Sequence, residues 1–113
     1  MDKLIIRREE WLRGIGYDRS RLLEKDTGKR CCLGILGREL GYTDEELEDQ
    51  TDPTYVAQIN NKWPDWLLMN GKYNSLISRY LMQINDDEKL EESEREAEIE
   101  EIFRNNGIEV EFR

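Results

Sequence analysis

Leu76, Ile77, Tyr80, Leu81 and Ile84 recur at the three- and four-residue spacing of an α-helix, the cleanest apolar stripe in the chain. It commits the fold to at least one helix with a buried face. What else can be buried is limited: apolar residues, glycine excluded, make up 37% of the 113 positions and charged residues 38%. An average domain is about a quarter charged. A core this thin cannot be divided into two units that fold unaided, so residues 1–113 are expected to form a single compact domain.

The remaining segments read as short elements. Leu4, Ile5, Trp11, Leu12 and Ile15 fall at helical spacing, with Asp2 as N-cap and Gly14 and Gly16 as the stop. Arg21–Lys25 and Lys29–Cys31 flank Asp26-Thr27-Gly28, which predicts a hairpin with Gly28 at a positive φ. Cys32–Leu40 is apolar enough for a buried helix closed by Gly41. Thr43 with Glu46, and Ser93 with Glu96, are spaced as capping boxes, the second opening a helix that runs to Asn105. Asp52-Pro53 starts a further turn of helix with proline at its first position, and its apolar residues are Tyr55, Val56 and Ile59. Trp66–Met69 is a brief apolar stretch closed by Asn70-Gly71. Ile108–Phe112 alternates apolar and acidic residues and predicts a half-buried edge strand. The expected fold is α+β, helix-dominated, with a small antiparallel sheet made of the hairpin near 21–31 and the strand at 108–112. Glu109 and Glu111 are then expected to face Arg21, Lys25, Lys29 and Arg30. Trp11, Leu33, Leu36, Leu40, Ile77, Tyr80, Leu81 and Ile102 are expected to share the core.

Charge is unevenly divided. Residues 1–42 carry ten bases against seven acids, while residues 43–113 carry seven bases against nineteen acids. The acids gather at Asp44, Glu45, Glu46, Glu48, Asp49 and Asp52, and again from Asp86 to Glu101, where ten carboxylates face only Lys89 and Arg95. Such runs are either a solvated face or a negative surface aimed at a basic partner. Direct nucleic-acid binding is disfavoured, because it needs a basic patch. No segment approaches the roughly 20 apolar residues of a membrane span, and the first residues break into charge too early for a signal peptide. A soluble, cytoplasmic protein is expected.

Few residues suggest chemistry. The chain has no histidine, which removes imidazole catalysis, the Ser-His triad and histidine-ligated metal. Cys31 and Cys32 are adjacent, badly spaced for one metal, and read as small buried hydrophobes; the alternative is a thiol activated by Lys29 and Arg30. Asn85-Asp86-Asp87-Glu88 lacks the alternating ligands and the glycine of a calcium loop, and reads as a cap or turn. Gly34 and Gly37 fit no phosphate loop and are spaced for close helix packing. No metal or other cofactor is expected.

The order of the pieces does resemble a known group. A tryptophan segment ending Trp11-Leu12-Arg13-Gly14 leads to Cys31-Cys32-Leu33-Gly34-Ile35-Leu36, and Leu81-Met82-Gln83-Ile84-Asn85-Asp86 precedes a terminal helix. This is similar to the small uncharacterised proteins of bacteriophages and prophages that carry a Cys-Cys-Leu-Gly segment and a later Leu/Ile-Asn-Asp. The likeness covers roughly the first 40 residues and residues 81–103. It departs after Asn-Asp, where the group has a glycine and a Ser-Phe helix start and this chain has Asp87-Glu88-Lys89-Leu90. The resemblance implies a setting, the cytoplasm of a host cell, and no particular reaction.

The leading expectation is a non-enzymatic phage-type accessory protein that binds a host protein, such as a defence component with a basic cleft. Its candidate surface is Asp44, Glu45, Glu48, Asp49, Glu91, Glu92, Glu94, Glu98 and Glu101, with Trp63 and Trp66 as aromatic anchors. The alternative is a small-ligand, nucleotide-like binding or sequestering protein with a pocket at Cys31, Cys32, Asn85 and Asp86. A monomer or weak homodimer is expected.

Overall fold

The computed structural model describes residues 2–17, 19–68 and 76–113. The chain begins with a strand, β1 (Lys3–Ile6), and ends with another, β2 (Glu109–Phe112). Between them lie α1 (Cys32–Glu39), α2 (Asp44–Leu47), α3 (Pro53–Ile59), α4 (Leu76–Asp86) and α5 (Glu92–Asn105), with 3-10 turns at Arg8–Glu10 and Asp65–Leu67. The two strands pair in parallel, with Lys3 opposite Glu109, Leu4 opposite Val110, Ile5 opposite Glu111 and Ile6 opposite Phe112. The pairing continues past the ladder, where Arg8 N–H donates to the Arg113 carbonyl at 2.8 Å. α1 packs against β1, α5 against β2, and α4 against both helices.

The antiparallel sheet expected from sequence is therefore replaced by a two-stranded parallel one among the described residues. At the N-terminus, Leu4 and Ile6 are buried with Ile5 between them half-buried, a period of two that favours a strand over the helix read from positions 4, 5, 11, 12 and 15. The turn at 26–28 does form, with Gly28 at φ +74° and its N–H bonded to the Glu24 carbonyl. Two backbone bonds cross its arms, Glu24 N–H to the Lys29 carbonyl and Cys31 N–H to the Arg21 carbonyl, but no strand ladder forms, and other neighbours also pair with the arms. Arg30 bridges Trp11, Leu23 bridges Glu48, and Leu22 N–H donates to the Gln50 carbonyl. Glu111 consequently meets Lys3 at 3.1 Å rather than the bases of residues 21–30, and Glu109 is exposed.

Helix N-caps follow the sequence in two cases and depart from it in one. Thr43 and Glu46 form the capping box of α2, and Asp52 caps α3 ahead of Pro53. α5 starts earlier than expected, with Glu91 at its N-cap, so Ser93 lies inside the first turn and Glu96 is used elsewhere. Trp11, Leu33, Leu36 and Leu81 are in the core, joined by Leu4, Ile6, Ile99 and Phe103; Leu40, Ile77 and Ile102 pack at its edge. Tyr80 is exposed, as are Tyr55 and Ile59 of α3. The expected stop at Asn70-Gly71 lies outside the described residues.

Candidate functional site

The segments that look chemical in the sequence meet at the C-terminal end of α4. Helices leave their last four carbonyls without internal partners, and here all four are taken. The Gln83 carbonyl accepts from Asp87 N–H, Ile84 from the Arg95 guanidinium, Asn85 from Gly14 N–H and Asp86 from Gly16 N–H. Gly14 and Gly16 have φ +67° and +110°, the left-handed region that lets the chain turn back onto the helix end. The Asn85 carboxamide reaches further. Its Oδ1 accepts from Trp11 Nε1–H at 2.8 Å and from Cys32 N–H at 3.0 Å, where α1 begins. Its Nδ2 donates to the Leu12 carbonyl at 2.9 Å and to Asp86 Oδ1 at 3.1 Å. Asp86 Oδ2 in turn accepts from Ser20 N–H at 3.3 Å.

Cys31, Cys32, Asn85 and Asp86 are thus brought together as the sequence suggested, but in a packed node and not as the walls of a pocket. All four are buried. Burial pushes the Cys31 thiol from 9.0 up to about 12, with the Asp86 carboxylate acting in the same direction, and holds Cys32 well above 9.0. That is the opposite of an activated thiolate. α1 sits so close to the preceding segment that a Cβ on Gly34 would lie 1.7 Å from the Leu22 carbonyl oxygen. Arg95, buried, ties Leu90 and Asp87 carbonyls to the same end of α4. Among the described residues no three of the Cys, Asp and Glu side chains gather as a metal ion would require.

The aromatic anchors are corrected by their packing. Trp63 is buried beside Tyr42 at 5.0 Å between ring centroids, and its ring edge fills the space that a side chain at Gly37 would take. Trp66 stacks edge-on against Phe103 at 5.6 Å. The Trp63 ring is thus withdrawn into the core, while Trp66 is half-buried at its edge.

The acidic residues divide into two sets. Asp44 pairs with Arg30 at 2.7 Å, Glu48 with Lys25 at 3.6 Å, and Glu92 with Arg13 at 2.7 Å and Arg95 at 3.0 Å. Asp49 accepts from Lys25 N–H at 3.4 Å. Glu96, outside the expected set, grips Arg8 through both oxygens at 2.7 and 2.8 Å. Much of the acidic half is thereby spent on the basic N-terminal third. Glu45, Glu91, Glu94, Glu98 and Glu101 have no ion-pair partner among the described residues. Four of these five are spaced three, four and three residues apart, which puts them on one ridge about 15 Å long at 1.5 Å per residue. The ridge lies on the side of α5 away from Glu92 and Glu96, with the buried stripe Arg95, Ile99 and Phe103 between.

Two depressions lie on the outer side of α4. A polar cleft of about 530 Å³ is lined by Tyr17, Arg21, Asp52, Ser78, Arg79 and Gln83. An apolar groove of about 460 Å³ runs between α4 and α5 over Leu76, Ile77, Tyr80 and Ile102. Sequence reading missed both, although Leu76 and Tyr80 carried the signal: they lie one turn apart on the edge of an apolar stripe wider than the core needs. No helix among the described residues is long and apolar enough to cross a membrane. No protein-family model, curated protein or solved structure matches the chain.

Proposed function

We propose that the protein is a non-enzymatic binding protein whose acidic α5 ridge docks on a basic surface of a partner protein. The observation that carries this is the division of the glutamates: Glu92 and Glu96 are held by Arg13 and Arg8, whereas Glu91, Glu94, Glu98 and Glu101 line one face with no ion-pair partner among the described residues. Unpaired like charges along a helix repel one another, and a basic partner relieves that repulsion while accelerating encounter. The likeness to phage and prophage proteins supports a partner in a host cell, a defence component being one such target. Buried thiols held protonated, and the absence of histidine, favour binding over catalysis.

Capture from host lysate at low and high salt, with the Glu94→Gln/Glu98→Gln/Glu101→Gln variant alongside, tests the reading. A partner retained at low salt should be lost at high salt and lost to the triple variant at either. Equal capture of the same partner by the variant contradicts it. A second reading, small-ligand capture, is favoured by the polar cleft and not by the node at Cys31 and Asn85. Arg79 and Tyr17 there suit an anionic ligand with a ring, and a thermal-shift screen with nucleotides separates the two readings.

A further inference from the structure

The groove beside the ridge has its own composition. Leu76 is 68% exposed and Tyr80 54%, although they belong to the helix that carries the core residues Leu81 and Ile84. Ile77 and Ile102 form the floor below them, and Arg79 and Gln83 line the groove with them. Glu98 precedes Ile102 by four residues, one helical turn, which sets a carboxylate on the same side of α5 as Ile102, the α5 residue that lines the groove. Glu94 and Glu101 continue the same edge. The floor spans Leu76 to Gln83, about 10 Å or two helical turns.

We infer that this groove receives one face of an amphipathic helix from the partner protein, apolar toward Leu76, Tyr80 and Ile102, with lysines or arginines on the flank beside α5. The inference rests on the ridge reading and specifies what the partner presents. An apolar groove of this length accepts side chains at i, i+3 or i+4, and i+7 of a docked helix. The acidic wall selects the charge of its flank, and Arg79 and Gln83 offer donors to acceptors on the other. A second copy of this chain is a poor occupant, because it would bring its own acidic ridge against the same wall.

Fluorescence anisotropy on the full chain tests this with two synthetic peptides of about 18 residues, five turns of helix. One places leucines on a single helical face with lysines flanking them; the other has the same composition scrambled so that no face is apolar. The facial peptide should bind at least about tenfold tighter. Leu76→Ser/Tyr80→Ser, both exposed positions, should remove that difference with an unchanged melting temperature, while the triple glutamine variant should weaken both peptides. Equal binding of the two peptides, sensitive to salt but not to Leu76→Ser/Tyr80→Ser, overturns the groove and leaves the ridge standing. Binding of neither peptide overturns both. A dimer in sedimentation that Leu76→Ser/Tyr80→Ser dissociates also overturns it, and assigns the groove to a second copy.

Discussion

Gly34 shows most plainly what a single position can decide. A methyl group there would overlap the Leu22 carbonyl, which is backbone and cannot swing aside, whereas at Gly37 it would meet the edge of the Trp63 ring at 2.7 Å. Gly34→Ala is therefore expected to cost more than about 3 kcal/mol or to abolish folding, and Gly37→Ala to cost less, as thermal unfolding would show. Equal, small effects would mean that α1 does not approach Leu22 so closely. The spacing of these glycines was legible as close packing; the identity of the neighbour was not, since it lies in an irregular segment. The cysteines were legible as buried hydrophobes, and they make a second prediction. In the fold the Cys31 thiol is held up to about 12, and the unfolded thiol ionises near 9.0. The thiol's contribution to stability is thus whole below pH 9.0 and is lost as pH rises toward 12, because only the unfolded state loses its proton. Replacing Cys31 and Cys32 by Ala should flatten that fall, leaving the smaller slope of Tyr42, which burial also raises. An unchanged alkaline slope in the double variant would contradict it.

At the scale of elements, the helices were legible and the sheet was not. Helices are written locally: the stripe of α4, the Thr43–Glu46 box and Asp52-Pro53 each lie within one turn or two. The sheet joins the two ends of the chain, and alternation in Ile108–Phe112 reports a strand without reporting its partner or direction. Lys3–Ile6 was misread because apolar residues at 4, 5, 11 and 12 fit a helix as well as a strand, and the β-branched pair Ile5-Ile6 was the signal that separates them. Deleting residues 109–113 should lower the melting temperature at unchanged mass in solution, since it uncovers Leu4 and Ile6 and removes the Lys3–Glu111 and Arg8–Arg113 contacts. A melting temperature equal to that of the full chain would show that β2 contributes nothing to the core.

Across the whole molecule, the division into a basic third and an acidic remainder was readable, and its consequence was not. Which glutamates are spent depends on the rotation of α5 against Arg8 and Arg13, some eighty residues away: Arg8 and Arg13 take Glu96 and Glu92 and leave the outer ridge without ion pairs among the described residues. Paired carboxylates also set the acid limit of the fold. Glu10 beside Arg38, Glu46 in its capping box and Glu111 beside Arg113 and Lys3 are all held below 4.5. A lowered pKa stabilises the fold above the unfolded value and is lost as pH falls, so stability should decline below about pH 4.5 and a Glu10→Gln chain should decline less. A Glu10→Gln chain that loses stability as steeply as the parent would contradict that assignment.

The same long reach governs the node, where Trp11, Ser20 and Cys32, far from residue 85 in sequence, converge on the Asn85 carboxamide. On the function proposed above, these chemical-looking residues build the fold and the surface of α4 and α5 is what meets a partner. Thermal unfolding of Asn85→Ala tests that most directly. Orphaning the buried Trp11 and Cys32 donors should cost roughly 2–4 kcal/mol, a drop in melting temperature of about 8 °C or more, or the loss of a cooperative transition. A residue kept for a ligand and not for the fold can be replaced without that loss, so a melting temperature unchanged or raised would contradict the account.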